Sequence, residues 1–149
     1  MPVVVDTGPL LSAINRRDEA HRLAAMLIDM SGRDLIIPDP VVVEFDHLAR
    51  KQVGHEQARL FLSALAAGTY TRAALTPSLF AEAVAIDRSY ADLHLGLADA
   101  SVMAIAAATG HPILTFDFSD FRAAPPRSGG SWPLVIDEAR FSLSVRSTR

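Results

Sequence analysis

Asp6 follows Val3-Val4-Val5, and three consecutive β-branched residues predict a short buried strand that must turn at the carboxylate. In an open parallel sheet the crevice beyond the C-terminal strand ends binds ligands, which makes an acid there a functional candidate. Three further acids take equivalent places. Asp117 ends the apolar stretch from His111 to Phe116, which reads as another strand, and Asp99 lies near the start of the helix that feeds it. Glu44 sits in the first half of a helix that follows a strand at Leu35-Ile36-Ile37, at the edge of the stripe Val41, Phe45, Leu48 and Ala49. Four carboxylates at one pole of a sheet repel one another, two unit charges ~4 Å apart by about 4 kcal/mol at an effective dielectric near 20. Either a cation enters or some of the acids hold protons. There is no cysteine, and His21, His47, His55, His94 and His111 never fall at ligand spacing, so the donors are oxygens and favour Mg²⁺ or Mn²⁺. Such ions bind a phosphodiester, orient a water, lower its pKa and stabilise the leaving oxygen. Phosphodiester hydrolysis is the implied chemistry, with Asp6, Glu44, Asp99 and Asp117 as shared metal and catalytic residues.

The elements that must position these acids alternate between helix and strand. Thr7, Pro9, Leu10, Leu11 and Ile14 predict a short helix over 7–14. A second helix opens at Asp18, carries the stripe Leu23, Met26, Leu27 and Met30, and stops at Ser31-Gly32. Asp39-Pro40 opens the Glu44 helix, which runs to about Gln52, with Asp46 on its far side paired to Arg50. Gly54 and Gly68 bracket a helix holding Ala58, Phe61, Leu62 and Leu65, and Thr69-Tyr70-Thr71 reads as a third strand. Thr76-Pro77 starts a helix through Leu79, Val84 and Ile86. The next helix, 97–109, is apolar nearly all round and is expected to be buried, with Asp99 its one formal charge. A loop at 125–130 precedes a last strand at Leu134-Val135-Ile136. Residues 139–149 have weak pattern and three arginines and read as a partly disordered tail, leaving 1–138 as one domain. Strands separated by helices imply a mainly parallel sheet with helices on both faces.

At 149 residues the chain can bury a sizeable core, and its composition, half apolar and about a fifth charged, excludes a disordered polymer. A net charge of −3 provides no overall attraction to nucleic acid, although acids gathered in one site can mask a local basic rim drawn from Arg16, Arg17, Arg22, Arg50, Lys51 and Arg122. The lack of cysteine fits a reducing compartment, and the chain begins with a strand rather than a leader and has no long apolar run. A cytoplasmic location is the expectation.

With these residues in view the chain resembles PIN-domain ribonucleases of the VapC type, the toxins of type II toxin–antitoxin systems. The matching pieces are Val5-Asp6-Thr7, Val42-Val43-Glu44, Gly96-Leu97-Ala98-Asp99-Ala100, and the run from Ile113 through Asp117 to Phe121. They occur in the family's order and span most of the chain. The resemblance implies a three-layer α/β/α fold around a central, mainly parallel five-stranded sheet. It also implies a Mg²⁺- or Mn²⁺-dependent endoribonuclease, inhibited by a small cognate antitoxin protein and often a homodimer. Asp6, Glu44 and Asp99 match the family's three central acids. The fourth is Asp117 or Asp120, because some relatives carry asparagine at the Asp117 position and use the acid corresponding to Asp120. Thr7 and Thr115 match hydroxyl positions that orient ligands rather than attack. Asp92, in the segment Tyr90-Ala91-Asp92-Leu93-His94 before the Asp99 helix, either rims the site or lies in a solvated loop, and His94 shares that position.

Two other functions compete. Asp6-Thr7-Gly8 spells the aspartic-protease triplet, which would need a homodimer to supply the second aspartate and an almost entirely β chain around it. Here Pro9 follows and helices dominate. A PIN-like module that binds RNA or metal with little or no activity is the other alternative. A phospho-acceptor domain lacks its lysine, since Lys51 is the single lysine and lies in the wrong element.

Overall fold

The structure, a computed structural model, describes residues 1–147. Val3–Val5 forms β1 and is wholly buried. Its neighbours are β2 (Leu35–Pro38) and β4 (Ile113–Leu114), and β3 (Thr71–Ala73) lies outside β2, giving the order β3-β2-β1-β4. The ladders are parallel, with Val4 opposite both Ile36 and Ile113, and Ile36 opposite Thr71. Continuous apolar strands at the centre are what a sheet covered on both faces requires. This order sets the two strands that lead into aspartates side by side, and the Asp6 N–H donates to the Leu114 carbonyl at 2.9 Å.

The sheet has four strands among the described residues, where five were expected. The segment at 134–136 contributes a single parallel bridge between Leu134 and Ile113. Ile113 N–H donates to the Pro133 carbonyl at 2.8 Å and Val135 N–H to the Ile113 carbonyl at 2.9 Å. Pro133 has no N–H to extend the ladder, and Asp137 already caps the following helix, so the pairing stops there. The strand expected over 111–117 shortens to its two central residues, and the one expected at 69–71 begins where that segment ends.

Helices α1 (Thr7–Ile14), α3 (Asp39–Gln52) and α6 (Gly96–Thr109) carry or adjoin the acids. Every residue of α6 from Ala100 to Ala106 is buried, and the helix packs on α5 (Pro77–Ser89), α3, β1 and β2. In α3 the side chains of Val41, Phe45 and Ala49 face inward, and Phe45 meets Phe61 of α4 (His55–Ala66) with ring centroids 4.4 Å apart. In α2 (His21–Ser31) the buried side is Leu23, Ala24 and Ile28, with Leu27 half-buried, while Met26 and Met30, expected in that stripe, are exposed. Leu23, Ala24, Leu27 and Ile28 follow a 3.6-residue repeat more closely, which rotates both methionines to the solvent side.

Two short helices close the chain. α7 (Phe118–Ala123) is capped by Asp117, and α8 (Glu138–Arg146) by Asp137, whose carboxylate accepts from the Arg140 N–H at 2.8 Å. Residues 139–147, expected as a partly disordered tail, are thus largely helical, because the cap and the apolar pair Phe141 and Val145 supply what the weak hydrophobic pattern hides. Residues 148–149 of that tail lie outside the described residues. No described helix is long and apolar enough to cross a membrane.

Candidate active site

Asp6 stands where β1 becomes α1 and is only 5% exposed. One carboxylate oxygen caps α1 by accepting from the Thr7 N–H at 2.8 Å. The other accepts from the Thr115 hydroxyl at 2.9 Å. Thr115, buried just beyond β4, accepts in turn from the Asp117 N–H at 3.0 Å, so one hydroxyl ties the first acid to the backbone of the last. The Thr7 hydroxyl donates to Glu44 Oε2 at 3.1 Å and links α1 to α3. Both threonines therefore orient carboxylates. The aspartic-protease alternative ends here, since Asp6-Thr7-Gly8 opens a helix beside a parallel sheet and its hydroxyl is held by Glu44.

Asp99 lies in the first turn of α6 and hydrogen-bonds Asp6. Two carboxylates bond only by sharing a proton. The contact lowers the pKa of Asp6 and raises that of Asp99. Burial first, then the charge of Asp6, this hydrogen bond, and the charges of Glu44 and Asp117 push Asp99 up to about 8. Burial also raises Asp6, against the opposing hydrogen bonds from Thr7, Thr115 and Asp99.

Glu44 and Asp117 have exposed side chains at the mouth of the site. Asp117 caps α7, accepting from the Asp120 N–H and from the Ser119 hydroxyl, each at 3.2 Å. Asp120 hydrogen-bonds Asp117, and that bond, burial and the charges of Asp117 and Asp6 raise its pKa. The structure thus gathers all of Asp6, Glu44, Asp99, Asp117 and Asp120 at the C-terminal pole of the sheet. Asp92 and His94 are exposed in and just after a single 3₁₀ turn, Ala91–Leu93, ahead of α6. The basic residues singled out in the sequence fall in different elements. Arg50 pairs with Asp46 at 2.9 Å, Arg122 pairs with Glu138, and Arg16 and Arg17 follow the far end of α1, opposite Asp6.

Sequence patterns missed Ser119 and the apolar surroundings of the site. The Asp-x-Ser-Asp spacing at 117–120 is an N-cap signal that points to Ser119. A groove of about 680 Å³ runs from Glu44 past Val43, Leu75, Phe80 and Leu97. Its residues come from four separate segments, so no local periodicity could announce it.

All the converging side-chain donors are carboxylate or hydroxyl oxygens, the set that suits a hard divalent cation. Among the described residues no three His, Asp or Glu side chains already close on one ion-sized point. Asp6 is buried and Asp99 half-buried beside it, whereas Glu44 and Asp117 have exposed side chains. The donor chemistry and the proton held between Asp6 and Asp99 fit a cation-binding site, since a cation can replace that proton.

The profile of the PIN domain family matches residues 3–125. The chain belongs to the PIN domain family. Ribonuclease VapC26 of Mycobacterium tuberculosis is 29% identical over 134 residues, covering 89% of this chain and 99% of that protein. Among solved structures, the PIN fold here is similar to that of VapC20 from Mycobacterium tuberculosis, described as a Sarcin-Ricin loop cleaving toxin. The TM-score is 0.69 at 20% identity, over 79% of this chain and 93% of the other. A toxin-antitoxin complex from Klebsiella pneumoniae gives a TM-score of 0.61 at 22% identity, over 83% and 93% of the two chains. VapBC2 from Rickettsia felis, bound to a DNA fragment from their promoter, gives 0.63 at 16% identity, over 85% and 95%. At these identities the structural likenesses establish the PIN fold.

Proposed function

We propose that this PIN domain is a Mg²⁺- or Mn²⁺-dependent endoribonuclease that acts as a toxin of the VapC type and is inhibited by a small cognate antitoxin. The observation that carries the catalytic part is the convergence of Asp6, held by the Thr7 N–H and the Thr115 hydroxyl, with Asp99, Glu44 and Asp117 at the C-terminal ends of neighbouring parallel strands. The names of the similar proteins, a ribonuclease, a Sarcin-Ricin loop cleaving toxin and a toxin-antitoxin complex, support RNA as substrate and an antitoxin as partner. A toxin acting on the cell's own RNA would work in the cytoplasm.

Asp6, Asp99, Glu44 and Asp117 would hold one or two divalent ions, with Asp120 as an outer acid. A bound divalent ion supplies Lewis acidity toward the scissile phosphate and lowers the pKa of the attacking water. The residues of the chain do the rest. Thr115 and the Thr7 N–H fix both oxygens of Asp6, so the central carboxylate enters the reaction without reorganising. Thr7 restrains Glu44 from the side of α1. Asp99, whose pKa is raised to about 8, would have to release its proton to serve as a ligand. In-line attack of water on phosphorus, with loss of the 3′-oxygen, leaves 5′-phosphate and 3′-hydroxyl ends.

Incubating the purified protein with RNA and millimolar Mg²⁺ should give internal cleavage that EDTA abolishes. Asp6→Asn and Asp99→Asn should each lower the rate by at least ~10²-fold, the scale of losing one preorganised electrostatic contact. Full cleavage by either variant would defeat this assignment. Expression with and without the neighbouring small reading frame, followed by mapping of RNA ends, tests the toxin and the antitoxin together.

A further inference from the structure

The chain continues past residue 125, where the family match ends, and three features of this continuation converge on α7. Phe141 of α8 packs against Phe116 and Phe118, with ring centroids 4.6 and 5.5 Å away. These two rings immediately flank Asp117. Glu138, in the first turn of α8, pairs with Arg122 on α7. Trp132, in the intervening loop, donates its indole N–H to the Ala124 carbonyl at the C-cap of α7, at 2.7 Å.

α7 needs such support. It has six residues, far fewer than an isolated helix requires to hold its shape in water. A cleft of about 690 Å³, lined by Phe118, Phe121, Arg122, Trp132, Glu138 and Ser142, separates much of α7 from α8. Contact between the two helices is therefore concentrated on the phenylalanine cluster at one end and the exposed Arg122–Glu138 pair. A solvent-exposed ion pair of this kind contributes little. The rings lie at the end of α7 that carries the acid.

We propose that Phe141 is a positioning residue, and that α8 acts through it as a strap fixing the Phe116-Asp117-Phe118 turn so that Asp117 faces Asp6 and Asp99. This rests on Asp117 being one of the metal-binding acids. Thr115 fixes the same turn from inside through the Asp117 N–H, and Phe141 holds it from outside. Removing the ring leaves the acid in place but free to turn away, so cation affinity falls although no ligand has been lost.

The test is a double-mutant cycle on the full chain, read by the Mg²⁺ concentration that gives half the thermal stabilisation and, separately, by RNA cleavage. Phe141→Ala should raise that concentration by about 10-fold, as loss of an outer orienting partner does. In an Asp117→Asn background the same change should have little further effect, because the group it positions is gone. Phe141→Tyr, which keeps the ring, should restore the wild-type midpoint. An unchanged midpoint in Phe141→Ala, or an equal shift in the presence and absence of Asp117, overturns the strap. A wild-type midpoint in Asp117→Asn instead overturns the assignment of Asp117 as a ligand. If Phe141→Ala shows no cooperative melting, Phe141→Leu, which keeps apolar bulk without the ring faces, carries the same cycle.

Discussion

Asp99 is the single formal charge on α6, and it lies one turn before the fully buried Met103. A lone carboxylate on such a helix is costly to ionise, and that cost was visible in the sequence before any partner was known. The structure adds the neighbour whose charge, after burial, raises Asp99 most, namely Asp6. The consequence of that rise for stability has a definite sign. Asp99 rises from an ordinary 3.8 to about 8, so the folded protein holds this proton far more tightly than the unfolded chain. The contribution is fully present below the unfolded value and is lost as pH rises toward 8. In EDTA the melting temperature should therefore fall between pH 5 and pH 8, and Asp99→Asn should flatten that slope. An equally steep fall in Asp99→Asn would place the titrating group elsewhere. Thr115 illustrates the limit at this scale. Its type and position in the sequence suggested an orienting hydroxyl, but which two atoms it joins depends on two neighbouring strands brought together from opposite ends of the chain.

Elements were legible where local chemistry and tertiary demand agree. Thr7–Ile14, Asp39–Gln52 and the start of Pro77–Ser89 follow their Pro and cap residues closely. The Leu35 strand is bounded by Pro38, as its sequence indicates. Strand ends next to β4 were not legible, because pairing there is limited by Pro133 on the neighbouring segment, a residue twenty positions away from Ile113. α8 was hidden for a different reason. Its inward apolar residues Phe141 and Val145 are too few to give a stripe, and what organises it is an Asp137 cap and a ring cluster completed by the Phe116–Phe118 turn. α6 ends in Gly110 at φ 74°, whose N–H donates to the Ala106 carbonyl at 2.8 Å. Beyond its own chain neighbours, no atom lies within 4 Å of where a Cβ would sit there. Gly110→Ala should thus cost only the left-handed backbone penalty, about 1–2 kcal/mol, seen as a lower urea midpoint at unchanged m-value. Gly110 and Asp99 lie at opposite ends of α6, so RNA cleavage should persist; loss of cleavage would mean the helix end transmits strain to the site.

At the scale of the whole molecule, a net charge of −3 is distributed unevenly, with five acids drawn to one pole of the sheet. The folded chain without a cation keeps that pole together by holding protons, which makes proton and metal competitors for the same oxygens. A divalent cation that binds only the folded state must raise its stability by an amount set by concentration over affinity, about 2.7 kcal/mol at a hundredfold excess over Kd. For a domain of this length that corresponds to roughly 5–10 °C in melting temperature. Mg²⁺ should produce such a rise at pH 8, a smaller one at pH 5 where the shared proton is harder to displace, and none in Asp99→Asn at either pH. Sodium chloride at matched ionic strength should not reproduce it, since screening weakens repulsion between exposed charges but puts no divalent ion between Asp6 and Asp99. An equal rise with sodium, or an undiminished Mg²⁺ effect in Asp99→Asn, would mean that the acids respond to ionic strength alone and that the pole is not a cation site.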